Sequence, residues 1–166
     1  MKKLYLVRHA KSSWADQMQS DHERPLSSRG KHDAPIIGDV LKKQNVNPAI
    51  IISSNARRAI TTAKIVADKL GYKENKIIEN NIIYDATTQD LLNVINSIDD
   101  KNNSAMLFGH NPGFTVLANL ISDKYVDNMP TCAVATIELD VESWKNVNAN
   151  CGKLVGFEYP KKYSNY

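Results

Sequence analysis

Short apolar runs alternate with longer stretches of helical periodicity through the first two thirds of the chain. The apolar runs predict four strands, at residues 4–7, 49–52, 76–78 and 105–108. Strands that alternate with helices favour a mostly parallel sheet, because each crossover helix returns the chain over one face of the sheet. We therefore predict an α/β fold, a three-layer sandwich with helices on both faces of the sheet.

The stretches between these strands predict four helices, at residues 27–43, 55–70, 87–98 and 112–121. We expect Ser54 to cap the start of the second helix and Gly71 to follow its end. Thr87 opens a capping box for the third helix, and Pro112 takes the favoured first position of the fourth. Pro35 lies inside the first helix, where it should kink the helix or move its start.

The last third of the chain has a different pattern. Residues 134–139 and 153–159 predict two strands that extend the sheet, at least partly antiparallel. A chain of 166 residues can bury a full core, so we interpret residues 1–166 as a single domain. Too few residues separate Ile78 from Thr87 to form a lid domain, which predicts a shallow, open site.

Composition and charge exclude several classes of function. The net charge of +3 is small and not concentrated in a basic run, so we expect no nucleic-acid partner. Only four apolar residues follow Met1-Lys2-Lys3, too few for a signal peptide or a membrane span, which indicates a cytoplasmic protein. Cys132 and Cys151 are too few for a zinc site, and we expect two reduced thiols. We also expect a monomer.

Polar functional side chains follow each predicted parallel strand. In chain order these are Arg8-His9, Ser53-Ser54 with Arg57-Arg58 one turn later, Tyr84-Asp85 and Gly109-His110-Asn111. The carboxyl ends of parallel strands share one edge of the sheet, where ligands bind in open α/β folds. Two histidines and two or three arginines should therefore converge. Such a cluster of cations repels itself unless it holds an anion, and a phosphoryl group is the natural ligand.

The motifs at this edge resemble those of a known family. Arg8-His9-Ala10 is similar to its Arg-His-Gly signature, residues 58–62 to its Arg-Ala-x-x-Thr segment, and residues 109–112 to the motif of its second catalytic histidine. Residues 24–30 are similar to the segment that follows its first loop. On these motifs the chain resembles the histidine phosphatase superfamily, with its phosphoglycerate mutase-like fold, and within it the SixA-type phosphohistidine phosphatases.

The resemblance implies a role for each matching residue. His9 would be the nucleophile that is phosphorylated during turnover, and Arg8, Arg58 and His110 would surround the phosphoryl oxygens. The expected function is hydrolysis of phosphohistidine on a partner protein, with no cofactor and no metal. Ser12 retains the hydroxyl that the family has in the loop after the nucleophile, and it is a candidate substrate-binding residue.

The sequence also departs from the family pattern. Ala10 replaces the common glycine, and Ala15 stands where the mutases keep a phosphate-binding asparagine. The family's usual proton donor, a glutamate after the third strand, has no clear counterpart. Asp85 is the nearest candidate for a general acid, and a structural role in the turn is an equal alternative.

Other interpretations stay open on the sequence alone. The chain could be a small-molecule phosphomonoester phosphatase, or a phosphohistidine-binding module without turnover. Metal binding by His9 and His110 is disfavoured, since no carboxylate or cysteine lies nearby at ligand spacing and arginines would repel a cation. Trp14, in the loop after His9, either forms a pocket wall or only packs, and His22 is expected to be solvated.

Overall fold

Six strands assemble into one sheet within residues 1–163, the part of the chain that the computed structural model describes. The strands are β1 (Lys2–Arg8), β2 (Ile50–Ser53), β3 (Ile78–Glu79), β4 (Ser104–Gly109), β5 (Val134–Leu139) and β6 (Gly152–Glu158). Their spatial order is β3-β2-β4-β1-β5-β6. β1 therefore lies inside the sheet, and Arg8 at its carboxyl end lies near the middle of one sheet edge.

The pairing of the strands confirms a mostly parallel sheet. β1 pairs in parallel with β4, β4 with β2 and β2 with β3, whereas β5 is antiparallel to both β1 and β6. In this register Arg8 lies opposite Gly109, so the carboxyl ends of β1 and β4 are side by side. β3 begins later than predicted, because Glu74–Lys76 form a turn of 3₁₀ helix instead of extended chain.

Both faces of the sheet are covered by helices. The helices are α1 (Ser28–Lys43), α2 (Arg57–Leu70), α3 (Thr88–Asn96) and α4 (Gly113–Ile121). Side chains of β1 alternate between two cores, as in any strand that is buried on both sides. Leu4 and Leu6 pack with residues of α3 and α4, whereas Tyr5 and Val7 pack with residues of α1 and α2. The predicted three-layer α/β architecture is confirmed.

The helix ends confirm some of the predicted signals and correct others. Gly71 ends α2 with a left-handed φ of 73°, and Thr87 forms the predicted capping box with Asp90. α1 runs from Ser28 through Pro35 to Lys43, and its start lies at Ser27, whose side chain accepts from the Gly30 amide. The expectation that Pro35 moves that start was therefore wrong.

The two remaining helix starts also differ from the prediction. Ser54 does not cap α2, since Ala56 is the residue that precedes the helix. The Ser54 hydroxyl instead accepts from the Ala56 amide and contacts His110, which gives this side chain a place at the sheet edge. α4 begins at Gly113, one residue after Pro112.

The connection between β3 and α3 is short. Residues 80–87, between β3 and α3, contain only a turn of 3₁₀ helix at Asn81–Ile83, so the chain builds no lid domain there.

Cys132 is buried and Cys151 half-buried, and both are free thiols. Among the described residues, no helix has the length and apolar character needed to cross a membrane.

Candidate active site

Four residues predicted from the sequence surround one pocket at the carboxyl edge of the sheet. Arg8 and His9 leave the end of β1, His110 follows β4, and Arg58 lies in the first turn of α2. The His9 amide donates to the Gly109 carbonyl (3.0 Å), and the imidazole centroids of His9 and His110 are 5.2 Å apart. The pocket has a volume of about 290 Å³.

His9 is held in one tautomer by its own backbone neighbour. Its Nδ1 lies 2.6 Å from the Ala10 carbonyl oxygen, which can only accept, so Nδ1 carries the proton and Nε2 keeps an unprotonated lone pair, which accepts a long hydrogen bond (3.4 Å) from the Arg58 Nε. Burial, reinforced by Arg58, Arg8 and Arg24, lowers the pKa of His9 from 6.5 to about 4. The ring is therefore neutral near physiological pH, with Nε2 available as a nucleophile.

His110 is neutral for similar reasons. Its Nε2 lies 2.8 Å from the Ser54 hydroxyl, and its pKa is lowered to about 3, first by burial and then by repulsion between the protonated ring and its neighbours His9, where that is protonated too, and Arg58. Its buried Nδ1 has no hydrogen-bond partner within residues 1–163. A phosphoryl dianion in the pocket would favour the protonated ring, so His110 can gain a charge when the site fills.

The two predicted arginines are held in different ways. Arg8 donates to the Met129 carbonyl (2.9 Å), and its buried Nε has no hydrogen-bond partner within the described chain. Burial lowers the pKa of Arg8. Arg58 is 6 % exposed and points its Nε at His9 Nε2 (3.4 Å), while its terminal nitrogens donate to the Asp21 carbonyl (2.7 Å) and carboxylate (3.1 Å). Both guanidinium groups are thus fixed beside the nucleophile.

Comparison with known proteins places the site in a family. The sequence profile described as "Histidine phosphatase superfamily (branch 1)" matches residues 4–82. An uncharacterised chloroplast protein of Arabidopsis thaliana is 31% identical over 171 residues, covering 96% of this chain and 78% of that protein. The chain belongs to the histidine phosphatase superfamily.

Solved structures of this superfamily match the fold over nearly its whole length. A candidate phosphohistidine phosphatase SixA from Agrobacterium tumefaciens is 26% identical, with a TM-score of 0.78, covering 96% of this chain and 98% of that one. The protein histidine phosphatase SixA complexed with tungstate is 21% identical, with a TM-score of 0.79, covering 98% and 99% of the two chains. The SixA-type resemblance is confirmed.

This histidine phosphatase site contains a third arginine that the sequence analysis did not assign. Arg24 is 6 % exposed and lines the same pocket as His9. It donates to the Asp21 carboxylate (3.1 Å) and to the Ser12 hydroxyl (2.7 Å). Ser12 pairs with Leu26 in an antiparallel bridge, which folds the loop back over the pocket and delivers Arg24. The sequence signal was the family-like segment at residues 24–30, to which no role was given.

Asp21 joins two of the three arginines. Its carboxylate accepts from Arg24, from Arg58 and, at 2.6 Å, from the Tyr84 hydroxyl. The Tyr84 hydrogen bond is the largest cause of a pKa of about 2 for Asp21; burial acts in the opposite direction, and the contacts with Arg58 and Arg24 lower the pKa further. Asp21 is therefore ionised at neutral pH, and Tyr84 directs its hydroxyl proton to this carboxylate.

The other sequence candidates fall in different places. Ser12 lines the pocket of His9, where its hydroxyl accepts from Arg24. Asp85 is exposed and lies instead on an adjoining cavity lined by Thr87 and His110, with a left-handed φ of 55°. His22 was expected to be solvated, but its Nε2 lies 3.1 Å from the Asn55 side-chain oxygen.

The site brings together histidines and arginines rather than a ligand set for a cation. Within residues 1–163 no group of three or more His, Cys, Asp or Glu side chains is arranged to hold a metal ion. The pocket instead presents three guanidinium groups and two imidazoles. Such a donor set matches the oxygens of a phosphoryl group.

The tautomer of His9 gives a direct prediction. Near neutral pH, nitrogen-resolved NMR should show the His9 proton on Nδ1, with a titration near pH 4 rather than 6.5. Acidification through that range protonates Nε2 and removes its lone pair. The fall of kcat/KM at low pH that is due to the enzyme should therefore have its midpoint near pH 4. The absence of this resonance in His9→Ala would assign it to His9. A His9 resonance that titrates near 6.5, or carries its proton on Nε2, would contradict this geometry.

Proposed function

We propose that this protein is a phosphatase that hydrolyses phosphohistidine on partner proteins through a covalent intermediate on His9. Family membership supports phosphatase activity, and the phosphohistidine substrate is our own step beyond it. The observation that carries the proposal is the fixed tautomer of His9, whose unprotonated Nε2 faces a pocket with Arg8, Arg24 and Arg58. The tungstate ion bound by a SixA relative, an oxyanion like phosphate, supports the same use of this fold.

In the first step His9 Nε2 attacks phosphorus in line. A bond forms between Nε2 and phosphorus while the bond from phosphorus to the substrate's ring nitrogen breaks. That nitrogen keeps the electron pair, and the ring, which carries a proton on its other nitrogen, leaves as neutral imidazole. Arg8, Arg58 and His110 stabilise the negative charge on the phosphoryl oxygens, the main source of catalysis in phosphoryl transfer. Because His9 is already neutral, no base is needed to activate it.

In the second step water attacks the phosphorus of phospho-His9. The bond between phosphorus and Nε2 breaks, and the electron pair of that bond returns to the ring. Inorganic phosphate is released, and His9 is again neutral. The hydrogen bond from Nδ1 to the Ala10 carbonyl keeps the ring in place through both steps. The same arginines that bind the substrate phosphoryl group bind the product, so phosphate is expected to inhibit.

The arrangement of carboxylates supports a P–N substrate. An alkyl phosphate expels an alkoxide, which needs a proton donor in the transition state, whereas phosphohistidine expels a much better leaving group. Asp21 is held ionised by its partners, and Asp85 lies outside the pocket of His9. Among residues 1–163, therefore, no protonated carboxyl group lines the pocket of His9 to serve an alkoxide. The absence of a lid between β3 and α3 suits a side chain presented on a folded protein.

Substrate preference tests this proposal. A phosphohistidine-bearing protein and nitrophenyl phosphate should be hydrolysed, whereas phosphoserine and phosphoglycerate should be poor substrates. Asp85→Asn should keep phosphohistidine hydrolysis within about tenfold of wild type, below the 10²–10⁴-fold usually supplied by general acid–base catalysis. Chelators should leave the rate unchanged.

Three results would count against the proposal, each in favour of an alternative. Fast hydrolysis of phosphoserine that collapses in Asp85→Asn would make the protein a small-molecule phosphomonoester phosphatase. Tight binding of phosphohistidine without release of phosphate would make it a binding module. Inhibition by EDTA that a divalent metal reverses would replace the arginine-based mechanism with metal-assisted hydrolysis.

A further inference from the structure

Trp14 is an exposed aromatic side chain at the rim of the catalytic pocket. It lies in the loop after His9, lines the pocket together with His9 and Arg24, and is 73% exposed. Single exposed apolar residues are common on protein surfaces and need no explanation by themselves. The position of Trp14 matters because its side chain lines the pocket that contains the nucleophile His9.

The indole of Trp14 is oriented before any ligand binds. The Arg24 guanidinium carbon lies 3.5 Å from the ring centroid, a cation–π contact at close range. Arg24 is itself buried and held by Asp21 and by the Ser12 hydroxyl. One side of the indole is therefore fixed to a rigid part of the site, and the rest of the ring borders the mouth of the pocket.

We propose that the exposed indole surface of Trp14 binds the leaving imidazole ring of phosphohistidine. The inference rests on the proposed function and names the residue that recognises the leaving group. With the phosphoryl group against Arg8 and Arg58, the imidazole must extend from phosphorus towards the pocket mouth, opposite His9, because attack is in line. The pocket of about 290 Å³ has room for roughly ten water-sized groups, enough for a phosphoryl group and its ring.

The chemistry of the two rings favours this contact. Aromatic rings attract each other in offset or edge-on arrangements, beyond the gain from buried area. A protonated phosphohistidine ring adds a positive charge, which the electron-rich indole also attracts. Phosphoserine and phosphoglycerate carry no ring and gain neither interaction. Selectivity for phosphohistidine thus has two sources. One is the lack of a proton donor for an alkoxide leaving group, and the other is the attraction between Trp14 and the substrate ring.

The experiment compares variants of Trp14 by two measurements. One is kcat/KM for a phosphohistidine peptide, which senses the phosphoryl group and the ring together. The other is the inhibition constant of inorganic phosphate, which senses the phosphoryl group alone. Trp14→Ala should lower kcat/KM about tenfold, the upper range of an aromatic pair, while the inhibition constant of phosphate stays within twofold. Trp14→Phe should recover most of the loss.

Met18→Ala is the matched control. Met18 lies in the same loop and is 94% exposed, but it does not line the pocket, so this variant should match wild type in both measurements. Equal weakening of phosphate inhibition in Trp14→Ala would show that Trp14 acts by orienting Arg24, and would overturn the inference. An unchanged kcat/KM would overturn it as well.

The same data separate this inference from the proposed function. If wild type hydrolyses the phosphohistidine peptide and Trp14→Ala matches it, the proposed function stands and only the role of Trp14 is wrong. If wild type releases phosphate from nitrophenyl phosphate but not from the phosphohistidine peptide, the proposed substrate is wrong and this inference falls with it.

Discussion

Replacing His9 with alanine should abolish both turnover and formation of a phosphoenzyme. His9 Nε2 carries the lone pair that faces the arginines, whereas His110 occupies a different place in the pocket, with its Nε2 2.8 Å from the Ser54 hydroxyl. A covalent nucleophile has no substitute in solvent, so the loss should approach the background rate. Trapping with labelled substrate should yield an acid-labile, alkali-stable phosphoenzyme in wild type, as expected of a P–N bond, and none in His9→Ala.

His32→Ala is the matched control for this experiment. His32 lies on α1 with a side chain that is 57% exposed, outside the pocket lining, and its loss should leave turnover unchanged. Substantial activity in His9→Ala, or a phosphoenzyme that survives acid, would refute the covalent mechanism. A wild-type protein that forms the phosphoenzyme but never releases phosphate would point instead to a module without turnover.

Much of the fold and the centre of the site could be predicted because both depend on local sequence patterns. The apolar runs of β1, β2 and β4 indicate buried strands, and parallel pairing brings the ends of these three strands to one edge. Arg8, His9 and His110 directly follow or end such strands, so their convergence depends on topology alone. Arg58 follows from the same logic, since it lies in the first turn of the helix after β2.

The second half of the site could not be predicted, because it depends on how a loop folds back. Asp21 and Arg24 lie in a polar segment without periodicity, and nothing in that segment indicates that it returns to the pocket. The bridge between Ser12 and Leu26 and the buried position of Arg24 appear only in three dimensions. Tyr84 was noted beside Asp85, but only the contact with Asp21 shows that the tyrosine is the residue that faces the site.

Two local details show where tertiary contacts override sequence signals. Ser54 has the residue type and the position of a helix N-cap, yet its hydroxyl is used by the Ala56 amide and by His110 at the sheet edge. The low pKa of His9 is the second of these details. Burial is the larger cause of its low pKa, and burial is a property of the folded chain rather than of the motif.

Arg58→Ala should lower kcat by roughly 10²-fold or more, in line with the loss of one donor to a developing oxyanion. Arg58 is buried and holds its Nε within 3.4 Å of His9 Nε2, close enough to follow the phosphoryl group from substrate to enzyme. Its neighbour Arg57 lies about 100° away around the helix. Arg57 is exposed, and its guanidinium group donates to the Glu23 carbonyl at 3.4 Å.

Arg57→Ala is therefore the matched control, with the same change of charge one residue away. It should retain turnover within a few-fold. Both variants should give the circular dichroism spectrum of the wild type, which for Arg58→Ala requires that Asp21 keep its loop in place without Arg58. Asp21 retains Arg24 and Tyr84 as partners in Arg58→Ala, so the loop should hold and the defect should be chemical. Weak phosphate inhibition should accompany the low kcat in Arg58→Ala alone. Were Arg57 the sensitive residue, the assignment of the phosphate-binding arginine would be wrong by one position, and the pocket described by His9, Arg24 and Arg58 would not be the catalytic one.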